Sequence, residues 1–217
     1  MMNMKTLMMS GMLMLLPSLS YAQSCCQGQQ TKSCCQQQDN EVISTIMARR
    51  SIRKYQDKQV EHCKLALIAK CGINAPNGMN QQQWAVRVVE NPDFIKGTTE
   101  IFKKENSEQV KRDPNFKNMY RNAPNIIVVA VPQGDYNALN AGLMGENMML
   151  AAKSLGLGTC CLGGPVRFLQ QSEACKPYLA QLNLPEGYEI SYILAVGYPD
   201  ETPDAKPRDE SKIEFIK

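Results

Sequence analysis

Ile126-Ile127-Val128-Val129-Ala130-Val131 is a continuous apolar run held between Pro124 and Pro132. With no polar position on either face, it predicts a buried central strand. Working outward, Trp84 to Val89 alternates and ends at Asn91-Pro92, which predicts a second strand. Pro92 to Lys111 is charged and reads as an exposed helix. On the other side, Ala138 to Leu155 predicts a long helix of small residues and methionine, among them Ala141, Gly142, Met144, Gly145, Met148 and Ala152. Side chains that small let another helix approach closely. Ile190 to Val196 is the last predicted strand, followed by Gly197-Tyr198-Pro199 and a proline-rich tail. Nearer the N-terminus, Asp39 or Asn40 can cap a helix with Val42, Ile43, Ile46 and Met47 at helical spacing, ending near Arg49. A second helix runs from about Val60 to Cys71 and stops at Gly72, before a loop over 74–80 dense in turn formers. Helices and strands mix without strict alternation, so the fold class is α+β.

The chain of 217 residues is 43% hydrophobic and 21% charged, which is globular rather than disordered. A formal charge of +3 gives no reason to invoke nucleic acid or an anionic membrane surface. Residues 1–22 read as a secretory signal peptide, with Lys5 as the positive start, Thr6 to Leu16 as the apolar stretch and Ser20-Tyr21-Ala22 as a small-x-small cleavage site. The stretch is too short for a stable membrane span, which needs about 20 apolar residues. Export to the periplasm or cell envelope is therefore expected, in unfolded form since no arginine pair precedes the apolar stretch. Residues 23–40 are a separate cysteine- and glutamine-rich linker with two SCCQ-like repeats, Cys25-Cys26 and Cys34-Cys35. Vicinal cysteines of this kind bind a soft metal, form disulfides or tether the chain. Their spacing matches no zinc or iron–sulfur pattern, and Cys25 follows a poor lipobox. The folded domain is expected over 41–217.

Within that domain, polar or glycine-rich clusters stand out. Arg49-Arg50-Ser51-Ile52-Arg53 places three guanidiniums and a hydroxyl within five residues, just after a helix. Guanidinium forks bind phosphate oxygens in bidentate fashion, although a solvated charged turn has the same composition. Ala75-Pro76-Asn77-Gly78-Met79-Asn80-Gln81-Gln82-Gln83-Trp84 offers carboxamides, each presenting a donor and an acceptor, and a glycine that permits close backbone approach. Gly156-Leu157-Gly158-Thr159-Cys160-Cys161-Leu162-Gly163-Gly164-Pro165 reads as a glycine-rich turn between helix and strand whose N–H groups are open to a ligand. The last is Lys206-Pro207-Arg208, a basic pair in the tail.

In this order and at these separations, the clusters resemble the FMN-dependent nitroreductase family over about Ile43 to Phe215. RRSIRKY is close to that family's RRSxRxF; the second cluster is similar to APSxxNxQPW, the third to GLGTCWLGG, and the end to GYP…KPR. The resemblance implies a central, mostly antiparallel sheet flanked by helices in an intertwined homodimer. It implies FMN as cofactor, with Arg49, Arg50 and Ser51 gripping the phosphate and Lys206 and Arg208 closing from the tail. Arg53 would lie near the flavin N1 and C2 carbonyl. Pro76, Asn77, Asn80 and Gln82 would reach the ring from the other subunit, and Gly163 and Gly164 would offer N–H groups toward N5 and O4. No acid–base side chain and no metal is implied. The activity would be hydride transfer from NAD(P)H, or another two-electron donor, through the flavin to a small aromatic acceptor such as a nitroaromatic or quinone, by a ping-pong mechanism.

The sequence departs from the family pattern at Asn77, Gln83 and Cys161, the last standing where an aromatic residue often borders the pocket. Cys160 and Cys161 are expected as buried thiols, and the single His62 as a surface residue of a helix. Because reduced nicotinamides are cytosolic, two alternatives stay open: a flavoprotein reduced by a thiol or a membrane redox partner, and a non-enzymatic flavin- or metal-binding envelope protein.

Overall fold

A computed structural model describes residues 40–217. The signal peptide expected over 1–22, and all of the expected linker before Asn40, lie outside the described residues. Asn40 already caps the first helix, α1 (Glu41–Ala48), its Oδ1 accepting from the N–H groups of Val42 and Ile43. Then come α2 (His62–Ile73), β1 (Ala85–Val89), α3 (Pro92–Glu105), α4 (Ser107–Lys111), β2 (Asn125–Pro132), α5 (Asp135–Ser154), β3 (Gly158–Leu162), α6 (Gly164–Gln171), α7 (Lys176–Gln181) and β4 (Tyr188–Gly197).

The strands form one antiparallel sheet in the order β1-β2-β4-β3. The apolar run at Ile126–Ala130 is fully buried because strand β2 is central and covered on both faces. Ile126 and Val128 face a core built with Phe94, Ile95, Tyr120, Val166 and Leu169, mainly from α3 and α6. Ile127 and Val129 face a second core with Leu65, Ile68, Met144 and Met148 from α2 and α5. Between Val129 and Ala130 the register with β4 shifts, Val129 pairing with Tyr192 and Ala130 with Ile190. The extra residue in β4 is why Ile190 and Ile193, an odd number of positions apart, face the same core.

Helices α2 and α5 pack closely at Gly72, where a Cβ would stand 2.6 Å from Met148 Cγ. The small residue that allows this approach is Gly72 of α2; of the α5 glycines, Gly142 meets nothing within 4 Å and Gly145 lies against Tyr192 of β4. Two expectations need correction. The charged stretch from Pro92 is not one exposed helix: it breaks at Asn106, and Phe94, Ile95, Thr98 and Thr99 are buried. Its charges occupy only the outer face of α3. The stretch read as a glycine-rich turn also contains a strand, β3, which pairs over Gly158–Leu162 with the end of β4. Pairing with a buried neighbour overrides the weak strand preference of Gly-Thr-Cys-Cys-Leu.

Candidate functional site

Arg49 ends α1 as its C-cap, its N–H bonding Thr45 O at 2.9 Å, and the chain leaves in extended conformation. Arg50 turns Nη1 back onto the carbonyls of Met47 (2.7 Å) and Arg49 (2.8 Å), groups that a helix end leaves without partners. The residues that follow are stitched to two distant parts of the chain. On one side, Ser51 bridges Thr159 of β3, and the Ile52 N–H donates to Thr159 O at 2.9 Å. Ile52 is buried against Gly158, where a Cβ would come within 2.6 Å of its Cγ1, so glycine there lets the segment lie against β3.

On the other side, Tyr55 bridges Pro199, Gln56 N–H donates to Tyr198 O and Asp200 N–H to Lys54 O, both at 2.9 Å. Beyond them the Glu201 carboxylate accepts from the backbone N–H of Arg53 and, at 3.2 Å, from that of Lys54. Tyr55 is buried and donates its hydroxyl to Ile52 O at 2.6 Å; burial pushes its pKa well above the ordinary phenol value. Ile52 and Tyr55 point inward while the consecutive Arg53 and Lys54 are both exposed, a spacing of three that departs from strict strand alternation. Tyr198 is itself anchored. Its hydroxyl donates to Glu61 at 2.6 Å, Lys64 Nζ approaches that hydroxyl at 2.6 Å, and Lys58 Nζ stands 4.0 Å from the ring centroid. The hydrogen bond from Tyr198, helped by Lys64, brings the Glu61 carboxyl down to about 2.

The remaining expected residues fall into two groups. Gly163 and Gly164 are exposed at the N-terminus of α6, and a Cβ at either would meet nothing within 4 Å. First-turn N–H groups lack partners within a helix, so these two can donate to a ligand. Asn77 organises its own loop, Oδ1 accepting the Gln82 N–H at 2.9 Å while Met79, Asn80 and Gln82 hold positive φ near 50°. Non-glycine residues in that region are strained and concentrate at functional sites. Among the described residues, no hydrogen bond or ion pair joins Pro76, Asn77, Asn80 or Gln82 to the Arg49–Arg53 segment. Lys206 and Arg208 are exposed, and among the described residues Arg208 donates only to the carbonyls of Lys206 (3.1 Å) and Pro207 (3.4 Å).

Two acids that the sequence did not single out belong to this region. Glu201 brackets the arginine segment as described, and Glu146 of α5 lies 3.3 Å from Arg49 Nε. A lone acid, Glu201 in the polar tail or Glu146 within the methionine-rich α5, carries no periodic signal, so only the fold reveals either. The vicinal cysteines divide. Cys160 is buried, whereas Cys161 is exposed, correcting the expectation that both are buried thiols. Successive side chains of a strand point to opposite faces. Burial pushes both thiols up, with Arg53 partly offsetting the rise at Cys160. His62 opens α2 on the surface and pairs with Glu90 at 2.8 Å. Among the described residues no helix is long and apolar enough to cross a membrane, and no three His, Cys, Asp or Glu residues cluster as a metal site.

This arrangement, three guanidiniums and a hydroxyl on a rigidly held extended segment with open backbone donors at a nearby helix start, suits a phosphate-bearing ring ligand. The model of the nitroreductase family matches residues 46–198, and the chain belongs to that family. An NADPH-flavin oxidoreductase of Vibrio harveyi is 30% identical over 176 residues, covering 78% of this chain and 70% of that protein. A Bacteroides fragilis nitroreductase with bound FMN superposes with a TM-score of 0.71 at 27% identity, covering 82% of this chain and all of that one (100%). An FMN-dependent nitroreductase of Clostridium difficile gives 0.69 at 25% identity, with the same coverage, 82% and 100%.

Proposed function

We propose that this chain is an FMN-dependent NAD(P)H oxidoreductase that takes hydride from a nicotinamide and passes it to a small acceptor, a nitroaromatic, quinone or similar compound, in a ping-pong cycle. The observation that carries the reading is the double stitching of residues 51–56, to β3 at Thr159 and to residues 198–201 of the tail. It joins the arginine cluster to the glycine-rich cluster and to the Gly197-Tyr198-Pro199 turn, and the exposed groups there fit FMN. Arg49, Arg50 and Ser51 supply charge-assisted donors for the phosphate. Arg53 stands further along the same segment, so its charge favours an anionic reduced ring over a neutral oxidised one. Gly163 and Gly164 present N–H groups with no side chain in the way. When bound, the flavin supplies two-electron chemistry, and the protein supplies position and electrostatics.

The site is completed by a second copy of the chain. Val42, Ile43, Ile46 and Met47 on α1, Leu139 and Leu143 on α5, and Ile213, Phe215 and Ile216 in the tail are exposed apolar residues. So much apolar surface favours association. The strained loop at 77–82 is largely exposed on its own protomer and so can serve the partner's flavin, which is the role proposed for Pro76, Asn77, Asn80 and Gln82. Lys206 and Arg208 would close on the phosphate once the tail is seated. An exported protein meets little NAD(P)H, and the exposed Cys161 thiol near the proposed ring site favours a second reading in which a dithiol is the donor. Stopped-flow loss of the visible flavin absorbance tests both. Rapid bleaching by NADH or NADPH supports the first, and bleaching by dithiols alone supports the second.

A further inference from the structure

We propose that Glu201 is a positioning residue that sets the reducing tendency of the cofactor by fixing the backbone from which Arg53 projects. The proposal rests on the flavin reading above. The Glu201 carboxylate accepts from the consecutive N–H groups of Arg53 and Lys54, reaching them across 148 and 147 positions of sequence. These charge-assisted bonds complete the short ladder formed by Tyr55–Pro199, Gln56–Tyr198 and Lys54–Asp200. The Arg53 side chain is exposed, and the only hydrogen bond of its guanidinium among the described residues is a 3.3 Å contact from Nη1 to Ser51 O. The direction of its guanidinium is therefore governed by its backbone, and Glu201 holds that backbone at the point where the ladder ends. Glu201 is also the last of the tail to be tied down before Lys206 and Arg208.

Field and geometry make opposite predictions. The negative charge of Glu201 disfavours an anionic reduced ring, so a role through charge alone means that neutralising it eases reduction. A positioning role means that losing the two acceptor bonds lets Arg53 drift and makes reduction harder.

The test compares Glu201→Gln, which keeps the acceptor and loses the charge, with Glu201→Asp, which keeps the charge and withdraws the acceptor by one methylene. The readout is the potential of FMN bound to the full chain relative to free FMN, which reports the logarithm of the ratio of affinities for reduced and oxidised cofactor. Melting of the apoprotein is recorded beside it. Positioning predicts that Glu201→Asp lowers the ratio by about tenfold, about 30 mV for a two-electron couple, while Glu201→Gln stays within about twofold of the parent, a difference on the scale of coupling between contacting residues. In an Arg53→Gln background, Glu201→Asp should add nothing. If Glu201→Gln raises the ratio and Glu201→Asp leaves it unchanged, the charge acts alone and the proposal is overturned. If both variants merely lower the melting temperature with unchanged ratios while Arg53→Gln shifts the ratio, Glu201 is structural only. If Arg53→Gln itself has no effect on the ratio, the placement of Arg53 at the ring fails first, and a different residue sets the potential.

Discussion

Arg49 Nε lies 3.3 Å from Glu146 Oε1, an ion pair that ties the turn after α1 to α5 across 97 positions of sequence. Both side chains are partly exposed, so the pair itself contributes little, about 0–1 kcal/mol. Its consequence is for ligand binding, because the carboxylate competes with a phosphate for the same guanidinium. Glu146→Gln should tighten FMN binding by up to about 1 kcal/mol. Arg49→Ala and Arg208→Ala should each weaken it by about 1.5–3 kcal/mol, the worth of hydrogen bonds to a charged group. Titration of FMN by fluorescence checks all three, and unchanged affinity in both arginine variants would remove the phosphate assignment.

Gly158 and Gly97 separate stability from site geometry. An added methyl at Gly158 meets Ile52, with Cγ1, Cβ and Cγ2 at 2.6, 2.8 and 2.9 Å, and must push the arginine segment off β3. One at Gly97 collides with the Tyr178 hydroxyl, on the α3 side of the sheet, without touching Ile52. Both substitutions should cost about 1–3 kcal/mol of stability through overpacking. Gly158→Ala alone should also weaken FMN binding at a temperature where both variants are folded. Equal FMN affinities in the two would mean that the contact with β3 does not shape the site.

The two sides of β3 give a chemical readout. Cys161 is exposed and Cys160 buried, so an alkylating reagent should modify Cys161 and spare Cys160 in the native protein. Partial burial of its sulfur raises the Cys161 thiol above its ordinary value of 9.0. The reactive thiolate is therefore scarce at neutral pH, and the labelling rate should climb as pH rises through and beyond 9. FMN should slow the reaction if Cys161 borders the ring. Peptide mass mapping distinguishes the two cysteines, and equal labelling of both would contradict the assigned faces.

Much of the fold can be read from the chain because its strongest patterns have simple causes. Ile126–Val131 has no polar residue, so it had to be central. Met144, Met148 and Ala152 repeat at helical spacing, so α5 had to present one face to the core. Strand β3 escaped because glycine and two cysteines carry little strand preference, and its partner β4 lies far along the chain. The partial burial of α3 escaped because its charges, Lys103 and Lys104 among them, hide the Phe94–Ile95–Thr98–Thr99 face. At the site, the run of arginines was visible in the sequence, but composition alone did not separate it from a solvated charged turn. What was not legible was its support: Thr159, Glu201 and Tyr198 matter only because the fold brings them to residues 51–56.

The exposed apolar residues of α1 make the second copy testable. Replacing Ile46 and Met47 together with glutamate places two charges on that surface, and neither residue is buried in the protomer. The variant should keep its fold, sediment at half the mass of the parent and lose most of its FMN, since the loop at 77–82 would then have no partner to serve. A variant that sediments like the parent would place the contact elsewhere.

The visible spectrum of the purified full-length protein, recorded before and after titration with FMN, tests the central claim most directly. The account predicts a flavin spectrum on isolation or its appearance on titration, with one FMN bound per chain and binding abolished in Arg49→Ala/Arg53→Ala. A folded protein that is colourless and leaves added FMN free would contradict it.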